Sequence, residues 1–141
     1  MKIKKQRFLT FFRLPGSERL LFLEALSLHL WVGLLLKFIP FKKIPAWFAN
    51  PSGKLVAADI DVLEKIKAAG IRATVVSPWK NKCLITSLAT RYMLKRRKIE
   101  SQLYLGLTKT DSGKVIAHAW LVSGNAEVVE KSGNFTELFV F

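Results

Sequence analysis

The sequence predicts an α+β fold in which an N-terminal helical lobe precedes a cysteine-bearing helix that packs on an antiparallel sheet. Apolar residues recur at helical spacing through much of the first half, and short alternating segments separated by turn residues follow after residue 100. The 141 residues suffice for one domain with a buried core. We expect a basic arm (1–16) and a single domain (17–141), divided into a helical lobe (17–70) and a lobe that carries the cysteine (71–141).

The N-terminal arm carries five Lys and Arg and no acid, interleaved with Phe and Leu. This pattern predicts a basic arm, or an amphipathic segment that contacts a partner or a membrane surface. A long helix should follow, capped by Ser17 and ended by Pro40. It is about as long as a membrane span. Its longest charge-free stretch, 25–36, is short and contains His29, so a core helix with a hydrogen-bonded histidine is the preferred interpretation.

The middle of the chain predicts two more helices. Asp59 is a suitable N-cap and Gly70 a suitable C-terminal stop for the first, with an extended segment from there to Ser77. Asn81 is a suitable N-cap for the second, which contains the cysteine. The remaining predicted elements are a short helix or turn over 41–50, a loop over 50–53 and strands over 101–107, 114–122, 128–129 and 135–141.

Cys83 is the only cysteine, and it falls in the first turn of its predicted helix. The positive end of the helix dipole and the neighbouring Lys80 and Lys82 favour a thiolate there. The alternative is that a lone cysteine acts as a small buried apolar residue. His118 lies in the strand 114–122, where alternation places it on one face with Ile116 and Trp120. A helix N-terminus packed on this sheet could set the thiolate beside the imidazole, as cysteine nucleophiles require.

At these residues the chain resembles the transglutaminase-like cysteine peptidases that remove the leader from lasso-peptide precursors. The resemblance covers about residues 17 to 129. Its motifs are Trp79, Cys83-Leu84-x-x-Ser87-Leu88-Ala89, Leu94-Lys95-Arg96-Arg97-Lys98-Ile99, Leu103-Tyr104-Leu105-Gly106-Leu107, Ala117-His118-Ala119-Trp120-Leu121, Glu24-Ala25 and Ile39-Pro40-Phe41-Lys42-Lys43.

The resemblance implies a transglutaminase-like, papain-like fold and a catalytic triad. Cys83 would be the nucleophile and His118 the base. The family usually has an aspartate after the histidine, and this sequence has none there. Glu130 lies at about the expected place, and Asn125 and Glu127 are alternatives; an amide in this role is chemically admissible.

Three further residues are candidates for substrate binding. Trp79 and Trp120 would wall the site, the alternative being ordinary aromatic core. Arg91 belongs to a basic run completed by 95–98, which would bind an acidic peptide or be a solvated helix end.

The resemblance also implies the partners. The substrate would be a lasso precursor, held by a separate small leader-recognition protein, and an ATP-dependent cyclase similar to asparagine synthetase would close the macrolactam afterwards. The peptidase step needs no cofactor and no metal. Two histidines and one cysteine on separate elements also lack the spacing of metal ligands.

Composition restricts the remaining possibilities. The net charge of +13 implies an acidic partner, which by charge alone could be nucleic acid, an acidic peptide or an anionic membrane surface. No nucleic-acid module or phosphate-binding loop fits the order of elements. A single free thiol fits a reducing, cytoplasmic location, with membrane association as an option. Two other functions stay open: a catalytically silent binding subunit of the same fold, and a membrane-peripheral protein organised by the helix 17–39.

Overall fold

The computed structural model describes residues 12–50, 56, 59–80, 82–131 and 133–141. Within them it combines helices with a four-stranded antiparallel sheet, which confirms the predicted mixed fold. The helices are α1 (Gly16–Phe38), a 3₁₀ turn (Phe41–Lys43), α2 (Ile44–Trp47), α3 (Ile60–Val76) and α4 (Lys82–Arg96). The strands are β1 (Gln102–Lys109), β2 (Val115–Ser123), β3 (Ala126–Val129) and β4 (Thr136–Val140).

Helix α1 has nearly the predicted length but a different start. Ser17 does not cap it; the helix follows Pro15, whose carbonyl accepts a hydrogen bond from the amide of Arg19 at 3.0 Å. Proline suits this place because its fixed φ leads into a helix. The helix ends at Phe38, shortly before Pro40, as predicted. Most of the predicted basic arm, residues 1–11, lies outside the described residues.

One face of α1 packs on α3 and α4 and forms part of the core. Ala25, His29 and Val32 on this face are fully buried. The same helix is joined to the end of α4 by Glu24, whose carboxylate accepts from Arg96 at 2.9 Å and from Arg97 at 2.8 Å. By length and composition α1 could also cross a membrane, with a mean hydropathy of 1.7 over its most apolar window. A helix that helps build a protein core can have the same composition.

Helix α3 begins as predicted and ends later. The carboxylate of Asp59 accepts from the amide of Asp61 at 2.9 Å, so Asp59 caps the helix. The predicted stop at Gly70 and the extended segment after it are wrong, because the helix continues to Val76. A Cβ at Gly70 would lie 3.2 Å from Thr90 Oγ1, so this glycine permits close approach of α4. The predicted boundary between the lobes falls within α3.

Helix α4 lies between the other helices and the sheet. Its residues from Ile85 to Arg91 are all buried, as are Met93 and Leu94. A helix surrounded on every side carries apolar residues all round, and the small polar Thr86, Ser87 and Thr90 fill the close contacts. The predicted N-cap, Asn81, lies outside the described residues.

The sheet has the strand order β3-β2-β1-β4, with every neighbouring pair antiparallel. Leu103 and Leu121 are paired across β1 and β2 and belong to the core that the helices complete. Their neighbours Tyr104 and Trp120 point to the opposite face, where the rings stack at 5.4 Å. The sheet therefore has one face toward the helices and one aromatic face.

Candidate active site

Cys83 occupies the first turn of α4 and is partly exposed. The first amides of a helix lack partners within the helix, and together with the helix dipole they make this end favourable for negative charge. Lys82 directly precedes the cysteine, and both residues line a cavity at this end of the helix. Within the part of the chain that the structure describes, the thiol makes no hydrogen bond. It is an accessible thiol in a cationic environment.

A cavity of about 350 Å³ lies beside the thiol, between α3, α4 and the edge of the sheet. Cys83 and His118 both line it. Helix α3 contributes a mostly apolar wall, and Lys67 and Glu130 lie at the side where α3 meets β3. The fold therefore brings the two predicted catalytic residues, 35 positions apart in the sequence, to one cavity.

A second cavity, of about 610 Å³, lies on another side of Cys83. It runs under the start of α4 along the helix-facing side of β1 and β2. Both Cys83 and His118 also line this cavity. Its other lining residues are apolar apart from two lysines: Phe41, Lys80, Lys82, Leu84, Leu105, Gly106, Leu107, Ala117, Ala119 and Leu138. Cys83 thus lies where two cavities meet, an arrangement that suits a long substrate with atoms on both sides of the thiol.

The imidazole of His118 is held by aromatic packing and by one hydrogen bond. Its Nε2 donates to the main-chain oxygen of Glu130 at 3.0 Å. A carbonyl can only accept, so the hydrogen is on Nε2 and a neutral ring keeps Nδ1 as an acceptor. The centroid of the ring lies 5.0 Å from that of Phe135 and 6.1 Å from that of Trp120. The contact with Trp120 is expected from the sequence, because alternation places the two residues on one face of the strand.

Cys83 and His118 line the same two cavities, but their side chains are not joined. Among the described residues no hydrogen bond connects Cys83 to His118. The alternation of β2 explains this, since His118 lies on the aromatic face with Trp120, whereas Leu121 faces the helices. Proton transfer between the two groups requires the imidazole to turn away from Phe135 toward α4.

The three candidates for the third catalytic residue lie in different places. The carboxylate of Glu130 binds Lys67 at 3.0 Å, and only its main-chain oxygen contacts His118. Asn125 and Glu127 line a separate cavity of about 340 Å³, between α3 and the turn from β2 to β3. In the described part of the chain, no carboxylate or amide side chain is hydrogen-bonded to the imidazole. A main-chain carbonyl fixes its tautomer.

The two candidate tryptophans pack within the fold. Trp79 Nε1 donates to the main-chain oxygen of His29 at 3.0 Å, and its ring lies against Gly33 of α1. Trp120 is only 3% exposed. Its indole stacks on the ring of Tyr104, and the Nζ of Lys131 lies 4.9 Å from the indole centroid. Neither residue is among those that line the two cavities beside Cys83. Trp120 supports the site indirectly, because it packs on His118.

Arg91 is likewise buried. Its guanidinium donates to the main-chain oxygen of Phe141 and lies 5.1 Å from the centroid of the Phe141 ring. Burial lowers the pKa of Arg91 to about 10, and the charge of Glu100 opposes this. The side chain ties α4 to the end of the sheet and does not reach the cavities beside Cys83. Arg96 and Arg97 of the same basic run bind Glu24.

His29 anchors a buried polar network one helical turn below Cys83. Its Nδ1 donates to the carbonyl of Ala25 at 2.7 Å, and its Nε2 accepts from the hydroxyl of Thr86 at 3.1 Å. Thr74 Oγ1 lies 2.7 Å from Thr86 Oγ1 and donates to the carbonyl of Gly70 at 2.8 Å. The network joins α1, α3 and α4, and it confirms His29 as a hydrogen-bonded core residue.

We expect His29 to make stability depend on pH. Burial lowers its pKa below the ordinary 6.5, although the bond to Ala25 opposes this. As pH falls below 6.5, the unfolded chain binds a proton that the folded chain does not, so the free energy of unfolding decreases. Urea denaturation at about pH 8 and about pH 5 should show this decrease, and His29→Gln should reduce it. Equal decreases in both proteins would exclude His29 as the cause.

These elements define a mixed helical and antiparallel-sheet protein with an accessible cysteine at the start of a central helix. The family model of the transglutaminase-like superfamily matches residues 26–140. The chain belongs to this superfamily, which includes cysteine peptidases. Comparisons with curated proteins and with solved structures find no match. Among the described residues, no three His, Cys, Asp or Glu side chains are grouped so that they could hold a metal ion.

Proposed function

We propose that this protein is a cysteine peptidase that removes the leader from a lasso-peptide precursor. The observation that carries the proposal is the position of Cys83 in a transglutaminase-like domain, at the first turn of α4, where two cavities meet. A precursor is an extended chain, and a thiol between two cavities can contact residues on both sides of the scissile bond. Lys80 and Lys82 around the larger cavity favour acidic residues in that chain.

The reaction uses groups of this chain alone. The imidazole turns toward α4 and takes the thiol proton on Nδ1, the nitrogen that the bond to Glu130 leaves free. The sulfur of Cys83 attacks the scissile carbonyl, and the main-chain amide of Cys83 donates to the oxyanion. The imidazolium returns its proton to the departing amine, which leaves a thioester. Water, deprotonated by the same imidazole, hydrolyses the thioester and restores the thiol.

The proposed pathway uses three proteins in addition to the precursor peptide. A small recognition protein holds the leader, this protein cuts the precursor, and an ATP-dependent cyclase closes the macrolactam on the released core. Of these, only the cutting step needs Cys83. The reaction takes place in the cytoplasm, whose reducing conditions keep the thiol free.

Reconstitution tests the proposal. The purified protein is incubated with the precursor and the recognition protein encoded beside it, and the products are weighed by mass spectrometry. We expect a leader and a core whose masses sum to that of the precursor plus one water. A precursor that stays intact with all components folded would contradict the proposal. Omitting the recognition protein should slow the cut and leave its position unchanged.

The second candidate is a catalytically silent binding subunit. The separation of the thiol from the imidazole favours it, as does the engagement of the Glu130 carboxylate with Lys67. Such a subunit would bind the complex of precursor and recognition protein without cutting it. Size-exclusion chromatography of the same mixture shows binding, and mass spectrometry shows whether cleavage accompanies it.

A further inference from the structure

Helix α1 has an apolar stripe on its solvent side. The stripe consists of Leu20, Leu23, Leu30, Leu34 and Phe38, which are between 41% and 76% exposed. Their spacing of three, four or seven residues places them along one line of the helix. The core residues Ala25, His29 and Val32 lie on the opposite side. The helix is therefore apolar on two faces, and the domain covers one of them.

The one polar residue within the stripe is compatible with burial. Ser27 lies between Leu23 and Leu30, and its hydroxyl donates to the carbonyl of Leu23 at 2.7 Å. A hydroxyl that already has a partner in its own helix costs little to remove from water. The stripe thus forms a continuous apolar ridge, about five turns long.

Basic and aromatic residues extend the stripe at its C-terminal end. Lys37, Lys42 and Lys43 are exposed there, beside the exposed rings of Phe41 and Trp47. At the other end, Arg13 is exposed and the sequence before it adds four more Lys and Arg. Residues 1–58 contain ten Lys and Arg against two Glu. The apolar ridge is thus bordered by positive charge at both ends.

We propose that the stripe binds α1 to an anionic membrane surface, with the helix in the plane of the interface. Leucines and aromatic rings that enter the acyl boundary between flanking lysines are the chemistry of interfacial helices. Lys and Arg close to the surface add attraction to anionic headgroups. The inference is independent of the proposed peptidase activity.

The other face of α1 excludes a full span for the folded domain. Glu24 is bound to Arg96 and Arg97, and His29 to Thr86, so these polar groups are engaged with α4. A span would break these contacts and place a carboxylate and an imidazole in hydrocarbon, at high cost. A helix that lies in the interface keeps them. The proposal therefore predicts reversible binding that salt weakens.

Vesicle sedimentation tests the proposal. The full chain is mixed with vesicles of equal parts phosphatidylglycerol and phosphatidylcholine, or of phosphatidylcholine alone. We expect the wild type to sediment with the anionic vesicles only, and high salt to release it. The double variant Leu30→Glu/Leu34→Glu should bind at least about tenfold more weakly, because both residues lie mid-stripe. The milder Leu30→Ser/Leu34→Ser should also weaken binding and serves if the first variant fails to fold.

The matched control is Val76→Glu/Val115→Glu, which adds the same charge at two exposed apolar residues outside the stripe. It should retain most of the binding. Equal sedimentation of the wild type and the stripe variants would overturn the proposal, as would an equal loss of binding in the control. Wild-type protein that resists alkaline carbonate extraction would also overturn it, because it would indicate a membrane span. So would a wild-type protein that is dimeric and binds no vesicles, if the stripe variants are monomeric. Binding that appears only after deletion of residues 1–11 would mean that this segment covers the stripe, and would overturn it too.

Discussion

Replacing Cys83 with alanine is expected to lower the rate of leader cleavage by at least about a thousandfold. In the proposed reaction the sulfur forms the covalent intermediate, and no other described side chain at the two cavities can replace it. The fold should survive, since Cys83 is partly exposed and its thiol makes no hydrogen bond within the described residues. The measurement is the initial rate of core release with saturating recognition protein.

Two variants complete this experiment. Ser112→Ala, in the exposed turn between β1 and β2, should cleave at the wild-type rate and controls for preparation. His118→Ala should lose most of the rate while still binding the precursor, because it removes the base and leaves both cavities open. Undiminished cleavage by Cys83→Ala would show that the thiol is not the nucleophile and would end the peptidase account in its present form.

Gly33→Ala is expected to destabilise the protein by about 2–3 kcal/mol. Helix propensity alone predicts the opposite sign, because alanine in a helix interior is favoured over glycine by about 1 kcal/mol. The reason is the indole of Trp79, since a Cβ at Gly33 would overlap it, 2.5 Å from Cδ2. The ring cannot simply withdraw, as its Nε1 donates to the carbonyl of His29 in the same helix.

The control is Gly16→Ala at the first residue of α1, where an added Cβ meets no atom within 4 Å. This variant should match or slightly exceed the wild type in stability. Urea denaturation gives both free energies of unfolding. A stabilised Gly33→Ala would mean that Trp79 does not pack in this position, and that this ring is free to wall the site as the sequence resemblance implies.

The order of the elements could be predicted from sequence because local signals determine it. Pro40 ends α1, Asp59 caps α3 and alternation marks the strands. Gly70 gave the wrong end for α3, because a glycine that permits helix–helix contact and one that ends a helix look alike in a sequence. Ser17 is wrong as the predicted cap, since the helix starts after Pro15, two residues earlier.

The site was less predictable, because its decisive contacts are tertiary. Cys83 and His118 were identified as a pair from residue type and resemblance, and they do line shared cavities. The group that holds the imidazole is the main-chain oxygen of Glu130, and a carbonyl leaves no signature in a sequence. Arg91 belongs to a charge run that suggests a surface, yet it is 2% exposed because α4 is enclosed on every side.

The proposed catalysis depends on functional coupling between the sulfur at position 83 and the imidazole at position 118. The rate at which iodoacetamide alkylates Cys83 near neutral pH measures this coupling directly, without substrate or partners. Mass spectrometry follows the reaction, and Cys83 is the only thiol in the chain. We expect His118→Ala to lower the rate at least about tenfold, because only the thiolate reacts and the imidazole accepts its proton. Equal rates for wild type and His118→Ala would contradict the account.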